Sequence, residues 1–72
     1  MTDASQLPIG SSASIVELTD QEQGLRLLEI GVRPGKTIRI IRTSPFKGAV
    51  FVQIGSNFFA LRQEELSHIL ID

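Results

Sequence analysis

The chain has 72 residues, a formal net charge of −1, 42% hydrophobic residues and no cysteine. A single domain of this size buries only about 60% of its unfolded surface, and without cysteine no disulfide can brace it and no thiolate can bind metal or attack a substrate. No apolar run approaches the roughly 20 residues that span a membrane, and MTDASQLPIG lacks the basic patch and apolar core of a signal peptide, so a cytoplasmic location is expected.

Charge is unevenly placed. Every Lys and Arg lies between Arg26 and Arg62, and Glu29 is the only acid in that span. The other acids sit toward the ends, from Asp3 to Glu22 and from Glu64 to Asp72. Such a distribution gives either a basic face on an acidic protein or the solvated outer positions of strands.

Residues 1–6 are polar and are expected to fray. Leu7-Pro8-Ile9-Gly10 reads as a turn that tucks its two apolar side chains inward. Ser12–Leu18 suits a strand with Ile15 and Val16 as its β-branched centre. Thr19 or Asp20 can cap a helix, and with Asp20 at the cap Gln23 falls three residues on as in a capping box. Leu25, Leu28 and Val32 then recur at helical spacing, broadened by Leu27 and Ile30. Gly24 weakens this helix and Gly31 ends it in the left-handed conformation. Pro34 and Gly35 form a type II turn, Pro34 fixing its own φ and Gly35 supplying a positive one.

Thr37–Arg42 alternates, with Ile38 and Ile40 on one face and Arg39 on the other. Thr43–Gly48 is a loop. Val50–Ile54 and Asn57–Arg62 form a hairpin about Gly55-Ser56. A two-residue turn sets Gln53 opposite Phe58, Val52 opposite Phe59, Phe51 opposite Ala60 and Val50 opposite Leu61. Val50, Val52, Phe59 and Leu61 then face the core, while Phe51, Gln53, Phe58 and Ala60 face out. Gln63–His68 makes a short helical turn before a last strand, Ile69–Ile71. Five short strands and one helix predict a mainly β fold, a small barrel whose closure removes exposed edges. The helix lies between its first two strands. Gly31, Pro34 and Gly35 are structural in this reading, since no helix follows the turn to cradle a phosphate.

In order, the chain shows L-P-x-G, then LLEIGVRPG (Leu27–Gly35), Ser44-Pro45-Phe46, and Phe59-Ala60-Leu61-Arg62 followed by Glu64-Glu65-Leu66. This ordered set resembles the FeoA family (ferrous iron transport protein A) from Leu7 to Asp72. The resemblance implies an SH3-like barrel and a cytoplasmic accessory of the large inner-membrane ferrous-iron permease, which carries its own GTPase domain. The same fold is found as the C-terminal domain of metal-dependent repressors similar to the diphtheria toxin repressor. That likeness keeps a metal-linked regulatory module open as the alternative, and it attaches transition-metal binding as a label without ligands. Phe46-Lys47-Gly48-Ala49 departs from the family's usual Leu-Gly-Asp-Pro, and Phe51 and Phe58 stand where relatives carry polar residues.

The residues offer little for catalysis. Ser67 and His68 are adjacent, so their side chains diverge, and no spaced Ser/His/Asp set exists. Glu64 and His68 are four apart and can share a helix face, but two ligands fall short of the triad that ferrous iron needs. No resident cofactor is expected, and any role for Fe(II) is indirect. Phe51 and Phe58 are diagonal neighbours. Either the helix or the N-terminal segment covers them, or they form an exposed patch for a protein partner or a second copy of the chain. The expected contact residues are Phe46, Lys47, Phe51 and Phe58, with Arg33 and Arg39 at the rim. A nucleic-acid platform on the same residues is disfavoured by the negative net charge and the lack of Tyr and Trp.

Overall fold

Apolar alternation and one capped amphipathic stretch resolve into six strands and two α-helices. The structure is a computed structural model that describes residues 2–45 and 48–72. Its elements follow as β1 (Thr2–Asp3), a 3₁₀ turn (Ala4–Gln6), β2 (Ser12–Leu18), α1 (Gln21–Ile30), β3 (Thr37–Thr43), β4 (Val50–Ile54), β5 (Asn57–Leu61), α2 (Gln63–Leu66) and β6 (Ile69–Ile71). Every pairing is antiparallel, in the lateral order β1-β6-β2-β3-β4-β5.

Two expectations about architecture need correction. The sheet is not closed: β1 and β5 are its edges. Curvature comes from β2, whose first half (Ser12–Ser14) pairs with β3 while its second half (Ile15–Leu18) pairs with β6. A bulge at Val16 marks the change of partner and bends the strand. The second correction concerns residues 2–6, which do not form a structureless lead-in. Thr2 and Asp3 pair with Ile71 and Leu70, and Ala4 is buried. The Asp3 carboxylate accepts from the Ser5 N–H at 2.9 Å, capping the 3₁₀ turn. This added strand puts α1 after the second strand rather than the first. The Pro8 turn also differs: Leu7 packs on the core, but Ile9 is 61% exposed. Ser11 N–H closes that turn on the Pro8 carbonyl at 3.1 Å, leaving Ile9 at its outer corner.

The Pro34-Gly35 turn forms as expected. Gly35 has φ +92°, and the Lys36 N–H donates to the Arg33 carbonyl at 3.3 Å. It does more than reverse the chain. The Ile15 N–H donates to the Lys36 carbonyl at 2.8 Å, and the Gly35 N–H donates to the Ile15 carbonyl at 2.8 Å. The corner is thereby clipped onto β2, where Ile15 points into the core.

The helix is capped where the sequence placed the cap. Asp20 Oδ1 accepts from the N–H groups of Glu22 (2.9 Å) and Gln23 (3.2 Å). The reciprocal half of the capping box is missing, since Gln23 Oε1 has no hydrogen-bond partner among the described residues. Gly31 ends the helix at φ +107°, with the Val32 N–H donating to the Leu27 carbonyl at 2.9 Å, a Schellman closure.

That closure sets the helix rotation, and the core stripe is not the expected one. Gly24, Leu27 and Val32 are buried, whereas Leu25 is 62%, Leu28 37% and Ile30 43% exposed. Leu27 and Val32, joined by the cap, take the inward positions together, and Gly24 lets the helix approach β2 closely.

The hairpin register is the expected one at every pair. Val50, Val52 and Leu61 are buried and Phe59 packs against them from a half-buried position.

These glycines respond oppositely to alanine. At Gly24 a Cβ would sit 3.5 Å from Leu18 Cβ, an ordinary contact, with no positive φ. Gly24→Ala should stabilise the protein by about 0.5–1 kcal/mol, read as a higher urea midpoint at constant slope. At Gly31 the nearest atom would be Phe59 Cζ at 3.7 Å, so space is adequate but φ is wrong. Gly31→Ala should cost about 1–2 kcal/mol, read the same way.

Candidate functional site

Two apolar surfaces stand out. The first is the outer face of β3, β4 and β5. Register aligns Arg39, Gln53 and Phe58 in one row and Arg42, Phe51 and Ala60 in the next. Arg42 reaches this face only because a bulge at Ile41 shifts the β3–β4 register between Ile40 and Arg42; simple alternation would turn it inward with Ile38 and Ile40. Its guanidinium lies 4.9 Å from the centroid of the Phe51 ring, within cation–π range. Phe51 is half-buried with the Arg42 guanidinium over its ring, while Phe58 is 70% exposed. The structure brings Arg39, Phe51 and Phe58 onto one face. Arg33 belongs to the turn before β3 and is not in either row. Phe46 and Lys47 lie outside the described residues.

The second surface was not foreseen. The outward leucines of α1 and the end of β2 bound a cleft of about 330 Å³, lined by Leu18, Asp20, Gln21, Gly24, Leu25 and Leu28. Gly24 contributes no side chain, and this is what leaves room between Leu18 and the helix. Asp20 borders the cleft while its Oδ1 is engaged by the helix N-terminus. Only the amphipathic period was visible in sequence; which side of it faced inward depended on the Gly31 closure. The signal that could have found the site was Gly24 itself, a glycine inside a helix without a turn to make.

The chemistry of the remaining candidates is modest. Glu64 lies in α2, and its carbonyl accepts from Ser67 Oγ at 2.6 Å. His68 lies beyond that helix, with its ring against Thr19 and Asp20. Its Nδ1 is 3.3 Å from Thr19 Oγ1 and its Nε2 3.9 Å from Asp20 Oδ2. Among the described residues no three or more His, Cys, Asp or Glu side chains gather as a metal cage. No helix among the described residues is long and apolar enough to cross a membrane.

Comparison with known proteins gives these features a family. Residues 4–72 match the FeoA domain model. No curated protein sequence matches the chain. Among solved structures, FeoA of Stenotrophomonas maltophilia complexed with zinc is 28% identical, with a TM-score of 0.85 over 100% of this chain and 91% of that one. That protein is described as an SH3 domain protein and a candidate bacterial ferrous iron transport activating factor. Iron(II) transport protein A from Clostridium thermocellum is also 28% identical, at TM-score 0.85, over 99% of this chain and 44% of that one. A manganese-dependent transcriptional repressor in complex with manganese shares the fold alone, at 16% identity and TM-score 0.86, over 97% of this chain and 35% of that one.

The cleft depends on the helix start. Asp20→Ala removes the acceptor for two amides and should cost about 1 kcal/mol. Amide hydrogen exchange should speed up at Glu22 and Gln23 while β4 and β5 remain protected.

Proposed function

The chain belongs to the FeoA family, and from that premise we propose that it is a cytoplasmic, non-enzymatic SH3-like adaptor of ferrous-iron uptake. In this reading it binds the cytoplasmic GTPase-bearing part of the large ferrous-iron permease and modulates transport. The observation that carries it is the outward turn of α1, which leaves Leu25 62% exposed beside a cleft floored by Gly24. Exposed leucines flanking an open concavity are the signature of a surface that a partner covers. Covering Leu25, 62% exposed, would return about 1–2 kcal/mol, and covering Leu28, 37% exposed, about half that. Asp20 on the rim favours a partner segment with an apolar anchor and a basic neighbour.

A metal-linked regulatory module, as in the repressor relatives, has less support. It rests on a fold likeness at 16% identity, and the described residues gather no metal cage. The two readings separate in one pair of experiments. Immobilised permease cytoplasmic domain should capture the wild-type chain, and Leu25→Asp should weaken capture at least about tenfold by introducing an unpaired charge at the anchor. No capture of the wild type would reject the adaptor reading. Micromolar binding in an anaerobic Fe(II) titration of the isolated chain would favour the regulatory one.

A further inference from the structure

We propose that two copies of this chain associate through their β5 edges, forming one continuous antiparallel sheet across a two-fold axis at Phe59. This does not rest on the permease reading, whose surface is the α1 cleft.

The edges of the sheet are unlike one another. β1 is two residues long and includes Asp3, the short and charged kind of edge that resists pairing. β5 is five residues long, Asn57–Leu61, with no charge, no proline and no bulge against β4. Among the described residues no strand lies on its far side and no backbone bond reaches it from another element. Such an edge is a template for another strand.

Which groups it presents follows from the hairpin. The two-residue turn makes Ile54 and Asn57 a hydrogen-bonded pair, so the pairs Val52–Phe59 and Val50–Leu61 are bonded as well. The N–H and C=O groups of Phe58 and Ala60 therefore point away from β4, toward solvent. Two out-pointing residues spaced by two are self-complementary. With the axis at Phe59, Phe58 of one copy pairs with Ala60 of the second, and Ala60 with Phe58. All four donors and acceptors of the strand are then satisfied in both copies.

Side chains agree with this register. Phe58, 70% exposed in the single chain, falls beside the small Ala60 of the second copy. Beyond that alanine, in the same row, stands the second copy's Phe51. A large ring over a small residue next to another ring gives a continuous apolar row across the junction. A register with its axis at Phe58 would strand Ala60 opposite Ser56, beyond the second copy's β5, and leave its N–H and C=O without a strand partner. The occupant that fits this edge is thus a second copy, in preference to an unrelated extended peptide.

The chain contains no cysteine, so engineered thiols report cleanly. A hydrogen-bonded antiparallel pair has its Cα atoms about 5.5 Å apart, within disulfide reach. Oxidising a mixture of Phe58→Cys and Ala60→Cys chains should give a mixed covalent dimer well before either chain gives a dimer alone. In sedimentation equilibrium the wild type should dimerise, and Ala60→Pro should weaken it at least about tenfold. That proline removes an N–H which faces away from β4, so circular dichroism should be unchanged. A wild type monomeric up to millimolar concentration would overturn the proposal. So would a folded Ala60→Pro chain that dimerises normally, or same-residue disulfides forming as fast as the mixed one. If Ala60→Pro fails to fold, the disulfide test decides alone.

Discussion

Two backbone hydrogen bonds at one buried residue hold this fold in register. Ile15 donates to Lys36 and accepts from Gly35, so the corner after α1 is fixed to the middle of β2. At Ile15 the strand changes partner from β3 to β6, and immediately beyond it the strand bulges. The clip therefore sits where the two halves of the curled sheet meet. Gly35 is required there because its φ of +92° aims its N–H at Ile15; a residue with a Cβ reaches that conformation only under strain. A 72-residue chain with no disulfide has little apolar area to spare. Backbone constraints of this kind do part of the positioning that a larger core would do elsewhere.

The rotation of α1 follows from the same joint. Its C-terminus is set by Gly31 and the Val32–Leu27 bond, its N-terminus by Asp20. With both ends fixed, Leu27 and Val32 must point inward and Leu25 and Leu28 must point out. The helix could bury more leucine by turning, but the caps would then be lost, at about 1 kcal/mol for the N-cap alone. Gly24 completes the arrangement. Alanine there would favour the helix and touch Leu18 without clash, yet it would also fill the floor of the cleft. A position left below its stability optimum beside an exposed concavity has the character of a functional compromise.

Local rules with one dominant cause were readable from the residues. The hairpin register came from Gly55-Ser56 and the alternation around it, and all five observed pairs agree. The Asp20 cap and the Gly31 and Gly35 conformations came from residue chemistry that few alternatives share. What escaped depended on competition between distant parts. Both bulges, at Val16 and Ile41, are register slips that no residue in the sequence announces, and the second carries Arg42 onto Phe51. The pairing of Thr2–Asp3 with β6 required knowing where β6 ends. Placing Leu25, Leu28 and Ile30 on the same apolar face as Leu27 and Val32 followed helical period but could not see the caps that fix the phase, which bury only Leu27 and Val32 of the five. For the same reason the cleft went unseen while Phe58, whose outward direction is set by a two-residue turn alone, was placed correctly.

The two surfaces differ in what they can recognise, and that difference makes them compatible. The α1 cleft presents side chains around a gap, so it selects a partner by the shape and polarity of what enters. The β5 edge presents main-chain groups in a fixed spacing, so it selects by extended backbone and tolerates few bulky neighbours. They sit on separate elements, since among the described residues β5 pairs with β4 alone and α1 follows β2. Pairing at one does not consume the hydrogen bonds or the apolar area of the other. An edge that joins two copies would present two clefts in one rigid sheet, so a weak single contact becomes a stronger paired one through effective concentration, without any new interaction.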